Sequence, residues 1–412
     1  MNILYLTAYS YPEQSSSSGL GVGRNQAFVN QGWKMITYAP TPCRGLDTET
    51  RKKYKRITRE ERFSGNMIIH RFSMFAEGSV PILRAIRYFL CAIKHFNRGV
   101  FAKDARRCDV MFIASTPPIQ GAMAALVKKS RRDNIPFIYN LQDIFPDSLI
   151  GAGLAKKDSL LWKIGRKIED FTYRNADRII VISEDFKKNI MAKGVPEEKI
   201  EVIYNWVDEN AVQPVAKADN PLFEEFGLDR EKFTVVYAGN LGNAQNISII
   251  LDAASLLPEV QFAVFGTSGL EDEIRKRLVA EDLVNVHLNP LQPMERVSQV
   301  YSLGDACIVS CKAGLGGSAM PSKTWNIMSC GRPVVASFDE GELKEILEKN
   351  NCGVFSHAGN VQEFVDAIKA LAADPSRCEE MGRNARQFIL DNLTKEVGTK
   401  KYVDVIKSFE KQ

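Results

Sequence analysis

The chain is punctuated from end to end by short apolar runs in which hydrophobic residues do not alternate with polar ones. In the first half these are Ile3–Thr7, Met35–Ala39, Val110–Ala114, Phe137–Asn140, Ile179–Ile182 and Ile200–Ile203. The second half repeats the rhythm with Thr234–Ala238, Gln261–Phe265, Val284–Leu288, Ala306–Ser310 and Val334–Ser337. A strand that is apolar on both faces and is followed by a helical pattern belongs in a parallel sheet covered on both sides. Two such series predict an α/β chain of two doubly wound, Rossmann-like domains. The 412 residues suffice for both. Asn205–Asn220 lacks periodicity and is rich in turn formers, so the linker is expected there. The expected domains are 1–212 with a returning helix 393–412, and 213–392. Glu379–Leu390 and Lys395–Phe409 predict two terminal helices with no strand between them, the last one packing back on the first domain.

Composition narrows the function classes. A net charge of +4 is too small by itself to imply nucleic-acid binding. The eight cysteines are scattered without a Cys-x-x-Cys pair and read as reduced core thiols of a cytoplasmic protein. His70, His95, His287 and His357 lack metal-ligand spacing, so no metal site is expected on them. Asn2–Ala8 is too short and lacks the basic leader of a signal peptide. No run of about 18 apolar residues predicts a membrane-spanning helix.

The ligand ends of a doubly wound sheet are the carboxyl ends of its strands, and several motifs fall there. Cys307–Ala336 reads as strand, glycine loop, short helix, small-residue stop and strand. Its loop Ala313–Ser318, including Gly317 and Ser318, is expected to expose backbone N–H groups. Ser322 and Lys323 stand where the helix begins. Amides, a helix start and one cation together favour a diphosphate. Tyr237–Asn246 offers Gly239 and Gly242 for close backbone approach, with Asn240 and Gln245 as neutral hydrogen-bonding groups. Phe265–Gly269 repeats the strand-to-glycine pattern through Gly266. In the first half, Ser15–Arg24 is expected to form a ligand-closing glycine loop, with Arg24 adding charge. Its Gly-x-Gly-x-Gly spacing and its distance from the first strand argue against a nicotinamide fingerprint. Asp143, in Asn140–Asp147 after the strand, is placed to bind sugar hydroxyls, orient an acceptor, take a proton, or hold a turn. Asp147 suits a helix cap. Residues 82–107 are amphipathic and basic. Their apolar stripe fits either core packing or an anionic lipid surface.

In their order and spacing the glycine loop Gly19–Arg24, Gln142–Ser148 (QDIFPDS), Tyr237–Asn246 and Met320–Ala336 resemble those of family 4 glycosyltransferases of the GT-B fold. The likeness is to bacterial capsule and O-antigen enzymes of the N-acetyl-L-fucosamine transferase type. The resemblance implies two domains facing across a cleft, a UDP-sugar donor on the second domain, and an acceptor on the first. It implies a retaining, metal-independent reaction with no cofactor, and a polyprenyl-diphosphate-linked saccharide as acceptor. It also implies a peripheral position at the inner face of the cell membrane, which residues 82–107 would contact. By this similarity Lys323 pairs with the diphosphate, and Gly21 and Gly23 close on the phosphates or donor sugar. Asn240 and Gln245 stand where many members carry Arg and Lys. Ser318 and Asn326 stand in place of a Glu-x7-Glu pair, so Asn326 offers a ribose hydrogen bond and no carboxylate. Two alternatives to the transferase are a non-catalytic nucleotide-sugar-binding scaffold and a nucleotide-sugar epimerase.

Overall fold

A computed structural model describes residues 1–13, 18–78, 80–151, 155–316 and 319–410. The chain forms two units, Met1–Tyr204 with Gly398–Gln412, and Asn205–Val397. The division falls at the start of the turn-rich stretch. Asn205 onward is held in the second unit, where the Val207 N–H donates to Leu393 O (3.1 Å). The Gln213 N–H donates to Ser298 Oγ (3.0 Å).

The first unit is built on an eight-stranded sheet. Its strands are β1 (Asn2–Leu6), β2 (Lys34–Pro40), β3 (Arg59–Arg62), β4 (Met67–Phe72), β5 (Val110–Ala114), β6 (Phe137–Leu141), β7 (Arg178–Val181) and β8 (Ile200–Val202), in the order β3-β4-β2-β1-β5-β6-β7-β8. All neighbours are parallel except β3 and β4. The order reverses beside β1, which makes the β1/β5 edge the switch point at which such sheets bind ligands. From Gly398 on, the last helix belongs to this unit. Tyr402 Oη donates to Asn140 Oδ1 (3.0 Å), and Trp33 Nε1 donates to Glu410 (2.8 Å).

The second unit holds a fully parallel six-stranded sheet. Its strands are β9 (Thr234–Asn240), β10 (Gln261–Thr267), β11 (Val286–Asn289), β12 (Ala306–Ser310), β13 (Val334–Phe338) and β14 (Gly353–His357), in the order β11-β10-β9-β12-β13-β14. Val235, Tyr237, Phe262, Val264 and Ile308 of the central strands pack with helix residues such as Ile250 and Phe364 in one apolar core. Burying such side chains contributes about 1.5–3 kcal/mol each.

The helix Pro81–Phe101 turns most of the amphipathic stripe away from the core. Its buried side is Arg87, Cys91, His95 and Gly99, spaced four apart. His95 bonds Tyr38 O (3.0 Å) and Gln120, and burial brings its pKa down to about 4. The apolar side is turned outward: Ile82 is 68% and Phe89 56% exposed. The core-packing expectation fails for most of this stripe, Val100 being buried, because buried polar contacts set the helix's rotation: His95 to Tyr38, and Arg87 Nε donating to Phe75 O (3.0 Å). Among the described residues no helix is long and apolar enough to cross a membrane. All eight cysteines are buried free thiols.

Candidate donor site and its relatives

Lys323 is the first residue of the helix Lys323–Ser329. Its side chain runs back to the end of β9. Nζ lies 3.9 Å from the centroid of the Tyr237 ring. It is enclosed, although the side chain as a whole is only partly buried, and it has no hydrogen-bond partner among the described residues. Loss of hydration, with no carboxylate to offset it, brings its pKa down from the ordinary lysine value to about 7. An enclosed amine without a partner is costly, and an incoming anion removes that cost. The ring face of Tyr237 offers a favourable contact in its place.

The neighbouring backbone is shaped to the amine. Gly239 has φ +145°, and a Cβ there would stand 2.9 Å from Lys323 Nζ. Tyr237 Oη donates to Asn240 O (2.6 Å), which fixes the ring under the amine. Asn240 is exposed, and its Oδ1 accepts the Gly242 N–H (3.0 Å), closing the turn. Ser310 Oγ donates to Gln245 O (2.6 Å), and the Lys312 N–H donates to Ala244 O (2.9 Å). The ends of β9 and β12 are thus tied together around the Gln245 segment. Asn326 lies three residues beyond Lys323, on the same side of the short helix, and is partly exposed. Ser322 is exposed and makes no side-chain cap.

Gly266 has a steric role. It pairs with Gly239 across β10 and β9. A Cβ on it would come within 2.3 Å of Gly239 O and 2.6 Å of the Leu241 side chain. Gly266→Ala is expected to destabilise the second unit by about 1–3 kcal/mol and to weaken donor binding by displacing Gly239. Thermal melting with and without nucleotide checks both effects, and an unchanged melting temperature would refute the steric reading.

Two expectations need correction. The amides of the glycine loop are not all open: Gly314 and Gly316 donate to the Asp339 carboxylate at the end of β13 (3.0 and 2.7 Å). Those two N–H groups are spent on holding the loop. Gly317 and Ser318 lie outside the described residues. The other correction concerns the first unit, where Gly21, Gly23 and Arg24 are not in a loop but in the helix Ser18–Asn30. Burial of Gly23, Arg24, Asn25 and Phe28 outweighs the poor helix propensity of three glycines, about 1 kcal/mol each. Arg24 turns inward, with its guanidinium 4.4 Å from the Phe112 ring centroid and 5.2 Å from that of Tyr5. It also donates to Asn25 Oδ1, so in this conformation it is a buried packing residue and not an exposed phosphate ligand.

Asp143 follows β6 as expected and is exposed. Protein crowded around its carboxyl raises the pKa, and the Ser148 hydroxyl partly offsets this. The turn before it is fixed from β5, because the Gln142 N–H donates to Ser115 Oγ (3.0 Å). Asp147 pairs with Lys193 Nζ (2.7 Å), which also bonds Glu169, so its role is structural.

Among the described residues no group of His, Cys, Asp and Glu is arranged to hold a metal. Sequence reasoning missed Tyr237 as the seat of Lys323, Asp339 as the clamp of the glycine loop, and Arg386. Arg386 Nη1 donates to Val212 O (3.0 Å), Ser329 O (2.8 Å) and Ser329 Oγ (2.7 Å), while Nη2 donates to Glu209 O (2.9 Å). The only sequence signal for Asp339 was its place just past a strand end.

Comparison with known proteins gives this geometry a family. Residues 26–211 match Glycosyltransferase Family 4, and residues 219–388 match Glycosyl transferases group 1. The chain is 26% identical over 283 residues to the probable glycosyltransferase WbjE of Pseudomonas aeruginosa, covering 68% of each chain. It is 26% identical over 258 residues to WcaI of Escherichia coli, named for colanic acid biosynthesis glycosyl transfer, covering 61% of this chain and 60% of that one. In fold it is similar to sucrose-phosphate synthase from Thermosynechococcus elongatus, with TM-score 0.77 and 15% identity over 99% of this chain and 98% of that one. It is also similar to Anabaena HepE solved with UDP, with TM-score 0.72 and 16% identity over 99% of this chain and 100% of that one. The matches follow one another along the two α/β units: the chain is built of the family 4 and group 1 domains of GT-B glycosyltransferases.

Proposed function

We propose that the protein is a retaining glycosyltransferase that moves a sugar from a UDP-sugar to a polyprenyl-diphosphate-linked saccharide during capsule or O-antigen synthesis. The sugar proposed is N-acetyl-fucosamine or a related amino sugar. The observation that carries the reading is the enclosed, unpartnered Lys323 amine facing Gly239. UDP in the structure of HepE, and the polysaccharide context in the name of WcaI, support the donor and the pathway class. In the reaction the bond between the anomeric carbon and the diphosphate oxygen breaks, and the acceptor oxygen bonds to that carbon. The acceptor proton is released, and UDP leaves. Negative charge grows on the diphosphate, where Lys323 stabilises it. Asn326 reaches the ribose, and Asp143 orients the sugar or acceptor on the first unit. Lysine takes the part that a metal plays in other transferases, so added chelator is expected to leave the rate unchanged.

The test incubates the protein with a panel of nucleotide sugars and a lipid extract, and follows UDP release and glycosylated lipid. Release that depends on one donor and on the extract supports the transferase. Donor isomerised without acceptor would mean an epimerase. Binding without turnover would mean a scaffold, a reading favoured by the absence of a carboxylate at Asn326.

Binding should also depend on pH. The amine titrates near pH 7 when the site is empty, and the diphosphate requires it protonated. Donor affinity is therefore expected to fall by about tenfold per pH unit above that value. Calorimetry in buffers of different ionisation enthalpy would show proton uptake on binding, and a flat profile from pH 6 to 9 would refute the pairing.

A further inference from the structure

The amino edge of the second sheet carries a cavity of about 1130 Å³, room enough for a small organic ligand. Phe233, Asp305 and Pro333 line it, and they immediately precede β9, β12 and β13. Gly239, beside the Lys323 amine, lies near the other end of β9. That strand is seven residues long. Such a length spans roughly 20 Å, so the cavity is separate from the donor site.

Its walls are the linker stretch Pro214–Lys217 and one side of the helix Pro375–Asn392, which contributes Cys378, Gly382 and Arg386 at four-residue spacing. The turn Cys330–Pro333, just past the helix Lys323–Ser329, completes the lining. These parts are fitted closely. A Cβ on Gly382 would lie 2.3 Å from Gly331 O, and Gly331 itself has φ +64°.

The lining has more positive charge than it neutralises. Arg332 Nη2 donates to Val215 O (3.3 Å) and Ser302 O (3.2 Å), while its Nε is enclosed with no hydrogen-bond partner among the described residues. Arg386 gives its bonds to three carbonyls and one hydroxyl. Among the described residues the ion pairs of the lining are Lys217–Asp305 (3.2 Å) and Arg383–Glu379 (3.8 Å). Asp305 is further engaged by the Thr234 N–H (2.8 Å). The third acid, Glu231, is exposed, as is its neighbour Lys232. Two half-buried guanidinium groups therefore stand without a carboxylate. Partly desolvated charges of one sign carry a cost that a counter-ion removes.

The same lining indicates the kind of counter-ion. Guanidinium donors match phosphate oxygens, and a phosphate monoester near neutral pH is close to doubly charged, which balances two cations where a single carboxylate would not. A bare inorganic ion would leave most of the cavity empty. Pro214, Val215, Phe233 and Pro375 offer an organic group an apolar wall. We propose that this cavity is a second ligand site that takes a small phosphate monoester, with the phosphate drawn by Arg332, Arg386 and the rim cations Lys232 and Arg383, and the organic part against the apolar wall. The proposal does not rest on the transferase reading.

The test is titration calorimetry of the full chain with phenyl phosphate, which carries a phosphate and an apolar ring but no sugar. One equivalent is expected to bind. Inorganic phosphate should bind at least roughly fivefold more weakly for want of the ring, and benzyl alcohol, which lacks the phosphate, should not bind. Arg332→Gln should lower the affinity for phenyl phosphate by at least roughly tenfold. Because Arg332 also holds two carbonyls, a second variant guards against misfolding: Lys232→Ala with Arg383→Ala. Both positions are exposed, so the melting temperature should match the parent, while affinity should fall by roughly fivefold or more. Lys323→Ala should bind phenyl phosphate as the parent does. No binding by the parent, or unchanged affinity in the Lys232/Arg383 variant, would overturn the proposal. Loss of binding in Lys323→Ala would overturn it too, by placing the probe at the donor site. Inorganic phosphate or benzyl alcohol binding as tightly as phenyl phosphate would overturn the monoester class. Sugar transfer is assayed separately, so failure of this site and failure of the transferase reading are distinguishable.

Discussion

Lys323→Ala is expected to lower kcat/KM for sugar transfer by about a hundredfold to a thousandfold while leaving the fold intact. The loss follows from the amine's position: Nζ has no hydrogen-bond partner among the described residues, so its donors are open to the ligand. The fold survives for the same reason, since no hydrogen bond is broken. Stability should even rise, with a sign set by the titration. The folded protein binds this proton with a pKa of about 7, below the ordinary lysine value. Between those two values the unfolded chain holds more protons, so parent stability climbs with pH across that window. Below it both states are protonated and the cost of enclosing the charge is fully present. Alanine should therefore gain most over the parent in acid, with the gap closing as pH rises past the amine's folded value. Lys323→Arg should not rescue turnover, because a planar guanidinium does not fit the space between the Tyr237 ring and Gly239. Steady-state kinetics paired with denaturant melts at two pH values check the prediction. Full activity in the alanine variant would sink the assignment of the donor diphosphate to this residue.

Arg386→Ala should be the most damaging single change outside the site, at about 2–4 kcal/mol of stability. One guanidinium serves the carbonyls of Glu209, Val212 and Ser329 together with the Ser329 hydroxyl. Its removal strands acceptors in the linker and at the end of the helix that begins with Lys323. Arg386→Lys should recover only part of the loss, since a single ammonium cannot span both the Glu209 and the Ser329 contacts. Urea denaturation measures the effect. The alanine variant should also bind donor more weakly, because Ser329 closes the helix that positions the amine. A midpoint equal to that of the parent would show that the carbonyls find other donors.

Apolar runs proved a sound guide where burial is two-sided. Val110–Ala114 and Ala306–Ser310 form strands with the expected bounds, and Thr234–Ala238 extends only to Asn240. The strands that escaped are those whose surroundings are mixed. β3 reads Arg-Glu-Glu-Arg and sits on a sheet edge, paired antiparallel. β4 alternates buried and half-buried positions and carries His70 and Arg71, and β14 closes the other sheet at its edge. In the second unit the candidate site was legible only as a grouping of glycine, cation and strand end, which the fold brings together at Gly239 and Lys323. What closes it was not: the ring under Lys323 and the Asp339 clamp depend on contacts between segments far apart in the chain. The glycine-bearing segment misled because loop and helix differ there only by how deeply Gly23, Arg24 and Phe28 are buried. The apolar stripe at Pro81–Phe101 left its direction open, and the buried His95 and Arg87 contacts decided it.

The return of the chain after Gly398 to complete the first unit has a consequence for synthesis. Tyr402 and Glu410 reach back to Asn140 and Trp33, so a nascent first unit waits on the ribosome without its last helix until the whole second unit has been translated. Asn205–Val397 is contiguous and free of that delay. The order of folding is therefore expected to run against the order of the chain, with the later unit compact first. A stop codon just after Val397 would leave the early unit unfinished however much of it had been made.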